Sequence, residues 1–315
     1  MLRRLVVPLD GSELAERALP YATCLAEAGN GQVVLVRVAL APPPSGFDWE
    51  AQQVAAVHVA EQYLAKVAEE LSPRVPTETR VPYGNAAAQI IETVRESEAD
   101  GVVMASHGRT GLAHLVYGSV AEAVLAGSPV PVFLVQAQPG EGAASFDPPS
   151  ARLLVPLDGS AFAEAALRTA IDALGPTGEL VLVRVVAPAD HVVRDERDHV
   201  IAYLDQVQER IEREASEYLR SVGRQLASEH PDLKVRFDVR VGTPATALAA
   251  AAAEIGVDLI IMATHGRTGL QRAVLGSVAG GVLRTSRTPA LLVHRVEQAP
   301  PVSDSIDASA FAALF

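Results

Sequence analysis

Short runs in which nearly every position is apolar alternate along this chain with stretches in which apolar residues recur every three or four positions. The runs read as strands buried on both faces, the stretches as amphipathic helices. Residues 3–9 form the first run. Ser12 opens a helix, with Glu13 and Glu16 in its first turn, Leu14, Ala18, Leu19, Ala22 and Leu25 along one face, and Gly29 at its end. Pro20 predicts a kink or break inside that stretch, because it lacks the N–H that a helix interior needs. A second strand is expected over residues 32–38, a helix over 50–71, a third strand over 77–82, and an Ala-rich helix from Asn85 to Ser97. Strand four (101–105), a loop, a helix and strand five (130–135) complete the first half. The order βαβαβαβαβ predicts an α/β fold, an open five-stranded parallel sheet, doubly wound, with helices on both faces.

The second half repeats the first. Residues 3–12, RRLVVPLDGS, recur as residues 151–160, ARLLVPLDGS, and residues 104–112, MASHGRTGL, recur as residues 262–270, MATHGRTGL. Between these anchors VVLVRV (33–38) matches LVLVRV (180–185), and Arg80 to Gly84 matches Arg240 to Gly242. A repeat of this length indicates two complete domains in tandem and not a solenoid. The expected organisation is domain one over 1–138, a linker over 139–150 rich in Pro and Gly, domain two over 151–296 and a tail over 297–315. In the second half, strands four and five are expected at 257–263 and 290–294. The insertion there falls in the second helical region, where Val200, Leu204, Val207, Ile211, Ala215, Tyr218, Val222 and Leu226 share helical spacing, predicting one long or bent helix that ends before Pro231.

Composition narrows the function classes. With 49% apolar and 4% aromatic residues among 315, the chain can bury a core of Ala, Val and Leu, and disorder is excluded. Acidic residues outnumber basic ones, 38 to 26, and no long basic run occurs, which argues against a nucleic-acid partner. Cys24 is the single cysteine, so neither an intrachain disulfide nor a thiolate cluster can form; it lies on the apolar side of the first helix and is expected to be buried there. The N-terminal apolar run is too short for an export signal, and the longest uncharged stretch, 241–253, falls short of the ~20 residues that span a bilayer. A soluble, cytoplasmic protein with no membrane partner is expected.

Open α/β sheets bind ligands beyond the carboxyl ends of their strands, where the strand order reverses. After strand one stand Asp10 and, in the repeat, Asp158. After strand four stands Ala105-x-His107-Gly108, then nine residues, then Gly118-Ser119-Val120; the repeat has Ala263-x-His265-Gly266, nine residues, and Gly276-Ser277-Val278. This pattern suits an anion cradle: Gly108 lets backbone N–H groups approach a phosphate, and a helix opening at Gly118 and Ser119 presents unpaired N–H groups and a positive dipole end. The Ser119 hydroxyl can cap that helix or bond a phosphate oxygen, and Arg109 and Arg267 can add a charge-assisted bond. No G-x-x-x-x-G-K-[ST] occurs and no G-x-G-x-x-G follows the first strand, which disfavours Walker ATPases and dinucleotide dehydrogenases. His107 and His265 have no nucleophile or second metal ligand in their motif, so neither a catalytic nor a metal role is assigned. Gly84 and Gly242 read as turn residues.

With these residues in place, the sequence resembles a tandem universal stress protein of the ATP-binding type, over nearly the whole chain. The family signature, G-x-x-G, nine residues, G-[ST], is met in both halves except that Ala105 and Ala263 replace the first glycine. The resemblance implies two Rossmann-like domains that take ATP, or AMP or ADP, with Mg²⁺ as a compatible companion. Asp10 and the Val38 backbone would hold adenine; Pro8, Met104 and Ala105 would flank the ribose; Gly108, Gly118, Ser119 and Val120 would hold the phosphates, with His107 as a backbone anchor or edge contact to the nucleotide and Arg109 beside them. The second-half equivalents are Asp158 and Val185, then Pro156, Met262 and Ala263, then His265, Gly266, Arg267, Gly276, Ser277 and Val278. It further implies a nucleotide-binding regulatory protein of the stress response, its ligand acting as a signal, with strand five of each domain pairing into an intramolecular pseudo-dimer. A homodimer of two such chains stays open. Two alternatives remain: a slow ATPase or phosphotransferase, for which a recognisable base or Walker lysine is missing, and an interaction module whose crevices are filled.

Overall fold

The structure, a computed structural model, describes residues 2–39, 49–106, 118–136, 146, 150–174, 178–190, 193–194, 200–264 and 275–293. The first half runs β1 (Arg4–Pro8), α1 (Glu13–Glu16), α2 (Ala18–Ala28), β2 (Gln32–Val36), α3 (Trp49–Leu71), β3 (Thr77–Arg80), α4 (Ala86–Glu96), β4 (Gly101–Ala105), α5 (Ser119–Gly127) and β5 (Val132–Val135). The second runs β6 (Arg152–Pro156), α6 (Ala161–Leu174), β7 (Glu179–Val186), β8 (Val193–Arg194), β9 (Val200–Ala202), α7 (Leu204–Glu229), β10 (Lys234–Val241), α8 (Pro244–Ile255), β11 (Leu259–Ala263), α9 (Ser277–Thr285) and β12 (Ala290–Val293).

Ten strands form one sheet in the order β10-β7-β6-β11-β12-β5-β4-β1-β2-β3. Within this sheet pairing is parallel in each half, as expected, and antiparallel only where β12 meets β5. At that seam Ala290 faces Leu134, Leu291 faces Phe133 and Leu292 faces Val132. Phe133 and Leu291 hold equivalent places in their strands, so a pseudo-twofold axis passes through a residue and its own duplicate, the self-complementary arrangement of a twofold dimer interface. The Gln136 side-chain amide adds a bond across the seam, donating to the Leu283 carbonyl at 2.8 Å.

Alternation along the strands sends side chains to two apolar layers. Leu5, Val7, Val33 and Leu35 belong to one layer, shared with α2, α3, α6 and α7, while Val6, Val34 and Val36 belong to the other, shared with α4, α5, α8 and α9. Both layers continue across the seam, so the halves share one core. Phe146, between the halves, is buried against Tyr21 and Phe133, with ring centroids 5.8 and 6.1 Å away.

Most expected elements appear within a residue or two. Pro20 acts as a break, not a kink: α1 ends at Glu16, Arg17 interrupts, and Pro20 lies in the first turn of α2, where its missing N–H costs nothing. Asn85 caps α4, its side-chain oxygen accepting from the Ala88 N–H at 3.1 Å, and the helix stops at Ser97. Gly84 and Gly242 have φ of 132° and 139°, as turn residues do. Two readings need correction. Val200 belongs to β9, which pairs antiparallel with β8, and α7 starts only at Leu204; the adjacent β-branched Val200 and Ile201 favour extended backbone over the first turn of a helix. Cys24 is half-buried at the margin of the first layer.

Candidate functional site

In the first half the chain winds outward from β1 through β2 to β3, then crosses to β4 on the other side of β1. The carboxyl ends of β1 and β4 therefore diverge and leave a crevice. A cavity of about 580 Å³ lies there. Its lining includes Pro8 and Asp10 from the end of β1, Val38 beyond β2, Met104 and Ala105 from β4, and Gly118, Ser119 and Val120 from the start of α5. All eight were singled out in the sequence, and packing brings them together.

Each side of the cavity has a local cause. At β1, Gly11 takes φ of 85°, which lets the Asp10 carboxylate turn back and accept from the Ser12 N–H at 2.9 Å and the Ser12 hydroxyl at 2.6 Å. The Ser12 oxygen in turn accepts from the Ala15 N–H at 3.2 Å and caps α1. The D-G-S triplet builds the same turn in the second half: Gly159 has φ of 83°, Asp158 accepts from the Ser160 N–H at 3.0 Å and its hydroxyl at 2.6 Å, and Ser160 accepts from the Ala163 N–H.

At β4, Ala105 is a regular strand residue paired with Val135, so its methyl group meets no conformational obstacle. The Gly118 N–H donates to the Ser106 carbonyl at 2.9 Å, which ties the start of α5 to the end of β4. In the second half the Gly276 N–H donates to the Thr264 carbonyl at 2.7 Å. The cap position of α5 is Gly118, with extended backbone and no side-chain acceptor; Ser119 is the first helical residue and does not cap the helix. Gly276 is likewise the cap residue of α9, without a side-chain bond. Both helices thus present first-turn N–H groups that no side chain has capped.

The remaining walls had no signal in the sequence. Ala55, Ala56, Val59 and Ala60 of α3 and Ala86 and Ile90 of α4 close the cavity with apolar surface, so the polar groups converge at its strand and helix ends. Arg37, just past β2, is the second charged residue beside Asp10 among the described residues that line it. Its guanidinium carbon lies 4.6 Å from the centroid of the Tyr63 ring, and the Tyr63 hydroxyl donates to the Glu16 carboxylate at 2.7 Å. Burial, and then that carboxylate, push the Tyr63 phenol well above its ordinary range. Arg184, Tyr218 and Glu164 repeat both distances in the second half, and the Tyr218 phenol is raised for the same reasons.

A model of the universal stress protein family matches residues 1–136 and 150–294. The chain belongs to this family. It is 28% identical over 303 residues to universal stress protein Rv2005c of Mycobacterium tuberculosis, covering 92% of this chain and 96% of that one. It is 30% identical over 156 residues to universal stress protein MJ0577 of Methanocaldococcus jannaschii, which matches 46% of this chain and 94% of its own length. A solved universal stress protein from Archaeoglobus fulgidus superposes with a TM-score of 0.70 at 23% identity, covering 93% of this chain and 98% of that one, and so shares the fold.

In this universal stress protein, Asp158 follows β6, Val185 lies in β7, Met262 and Ala263 close β11, and Ser277 and Val278 open α9 behind Gly276, with Pro156 ending β6. These are the positions of their first-half counterparts, except that Val38 lies two residues past the end of β2 while β7 runs on through Val185. His107, Gly108, Arg109, His265, Gly266 and Arg267 lie outside the described residues. Among the described residues no helix is long and apolar enough to cross a membrane, and no group of three or more His, Cys, Asp and Glu is placed to hold a metal ion.

Proposed function

We propose that this universal stress protein binds an adenine nucleotide, ATP or AMP, in the crevice of each half, and that occupancy serves as a regulatory signal in the stress response of a cytoplasmic protein. The cavity that runs from the Asp10 turn to the uncapped start of α5 carries the reading. Its size suits a ligand of this class. The features fit a nucleotide from end to end. Apolar walls favour a base, an acidic turn accepts from an exocyclic amine, and first-turn N–H groups of a helix donate to phosphate oxygens. Asp10 and the Val38 backbone would face adenine, Pro8, Met104 and Ala105 the ribose, and Gly118, Ser119 and Val120 the phosphates; Asp158, Val185, Pro156, Ala263, Gly276, Ser277 and Val278 would do so in the second half. A bound nucleotide would bridge β1, β4 and α5, and so hold together the three elements that meet at the crevice.

The test is calorimetric titration of nucleotide-stripped protein with Mg-ATP, AMP and GTP, followed by melting scans of the same samples. Adenine nucleotide at 100 times its Kd is expected to raise stability by about 2.7 kcal/mol per occupied site. A stoichiometry of two assigns both halves, and Asp158→Ala then weakens the second site without altering the circular dichroism spectrum. Absence of heat and of any melting shift with all three nucleotides overturns the proposal.

A further inference from the structure

We infer that Arg37, and Arg184 in the second half, are specificity-determining residues that read an acceptor nitrogen on the nucleobase; the inference rests on the nucleotide reading above. Three observations converge. First, the sheet order β4-β1-β2 separates the phosphate end of the crevice from Arg37. The start of α5 follows β4, whereas Arg37 follows β2, two strand spacings away, or about 10 Å. A nucleotide whose phosphates lie at α5 therefore directs its base, not its phosphates, at Arg37 and Asp10.

Second, the guanidinium is confined between Tyr63 and Gly11. It lies 4.6 Å from the Tyr63 centroid on one side. It also lies so close to Gly11 that a Cβ there would come within 3.0 Å of Nη2. The Tyr63 phenol is itself anchored on Glu16. A stacked guanidinium keeps its N–H donors pointing outward in the plane of the fork. Among the described residues no hydrogen bond or ion pair engages the side chain of Arg37 or of Arg184. Third, the same triad of arginine, tyrosine and glutamate is built twice, with ring distance and phenol bond repeated, although the helices that carry Tyr63 and Tyr218 differ in length.

Beside the Asp10 carboxylate, which accepts, a planar donor completes a pair that can read one amine and one neighbouring ring nitrogen of a purine edge. Without the arginine, Asp10 would still select for an amine, and only the Val38 backbone would remain to meet a ring nitrogen.

Full-length wild type, the Arg37→Met/Arg184→Met double variant and the Arg37→Lys/Arg184→Lys double variant would be titrated with ATP, with 1-deaza-, 3-deaza- and 7-deaza-ATP, and with tripolyphosphate. Wild type is expected to bind one of the deaza analogues about tenfold more weakly than ATP, the scale of a charge-assisted hydrogen bond. The methionine variant is expected to lose about tenfold toward ATP, to stop distinguishing that analogue from ATP, and to hold tripolyphosphate as wild type does. The lysine variant keeps the charge but loses the planar fork, and is expected to lose discrimination as well; it also covers the case in which the methionine variant fails to fold. Unchanged ATP affinity, unchanged discrimination, or an equal fall for tripolyphosphate and ATP each overturn the base contact while leaving the nucleotide reading intact. Wild type that binds no ATP overturns the nucleotide reading and this inference with it.

Discussion

Gly118 holds the point where β4 hands over to α5, yet nothing among the described residues requires a glycine there. Its backbone is extended, at φ −64° and ψ 146°, and among the described residues a Cβ would meet only the Ser106 carbonyl, at 3.6 Å. Gly118→Ala is therefore expected to leave stability within ~0.5 kcal/mol of wild type. Gly118→Asp puts a carboxylate at the cap position, where it accepts from first-turn N–H groups and is better than glycine by a few tenths of a kcal/mol, roughly. Melting should then hold or rise slightly while nucleotide binding in the first half is lost; retained binding with intact fold would remove α5 from the site. The tyrosines give a second test. Tyr63 and Tyr218 are raised above the ordinary phenol value by burial and by bonds to Glu16 and Glu164. A raised phenol stabilises the fold below its unfolded value, near pH 10, and that contribution is lost as pH climbs toward the folded value. Unfolding free energy should fall above pH 10, and Tyr63→Phe with Tyr218→Phe should flatten the fall, as read by urea melts across alkaline pH. Legibility at this scale follows sequence distance. The Asp10-Gly11-Ser12 turn and the Asn85 cap were readable because their partners lie two or three residues away. The Arg37 stack was not, because residues 16, 37 and 63 meet only through packing of α1, β2 and α3.

At the scale of elements, strand and helix order was readable because each strand is buried on both faces and each helix on one. Boundaries shifted where a local preference had no tertiary support. Val257 and residues 130–131 were counted with the apolar runs but precede the paired registers of β11 and β5. The apolar wall that α3 gives the cavity was hidden, since a surface alanine and a cavity alanine look alike in sequence. The connection from α2 to β2 shows how tightly the elements are set. Gly31 donates to the Ala26 carbonyl at 2.8 Å, and a Cβ on it would overlap the Arg3 carbonyl oxygen. That oxygen is backbone at the start of β1 and accepts from the Gln32 N–H at 2.6 Å, so it cannot retreat without breaking the first pair of the sheet. Gly31→Ala is expected to cost about 2–3 kcal/mol in a urea melt, in the range of overpacked cores. A cost under ~0.5 kcal/mol would show that the α2–β2 turn yields.

At the scale of the molecule, the seam between β5 and β12 joins the two domains in one sheet, so they are expected to unfold together. Phe133 sits on the pseudo-twofold axis, fully buried, and contacts Tyr21 and Phe146 at centroid distances of 5.4 and 6.1 Å. Asp258 of the second half also faces Tyr21 and, after burial, helps to raise its phenol. Wild type should melt in one calorimetric transition. Phe133→Ala is expected to cost about 3–5 kcal/mol and to split the melt in two as the shared layer is hollowed at its centre. A single, merely shifted transition would mean that the halves are coupled elsewhere. The same seam bears on molecular company. In a protein whose halves are separate chains, any copy with a compatible fifth strand competes for the partner, and subunits exchange by mass action. Here the partner strand is tethered to the same backbone, at an effective concentration in the millimolar range, roughly. Mixed pairs with other family members are thereby excluded from the β5 and β12 edges, and each first half is committed for the lifetime of the chain to one unlike companion, free to acquire a different ligand or affinity without losing its mate.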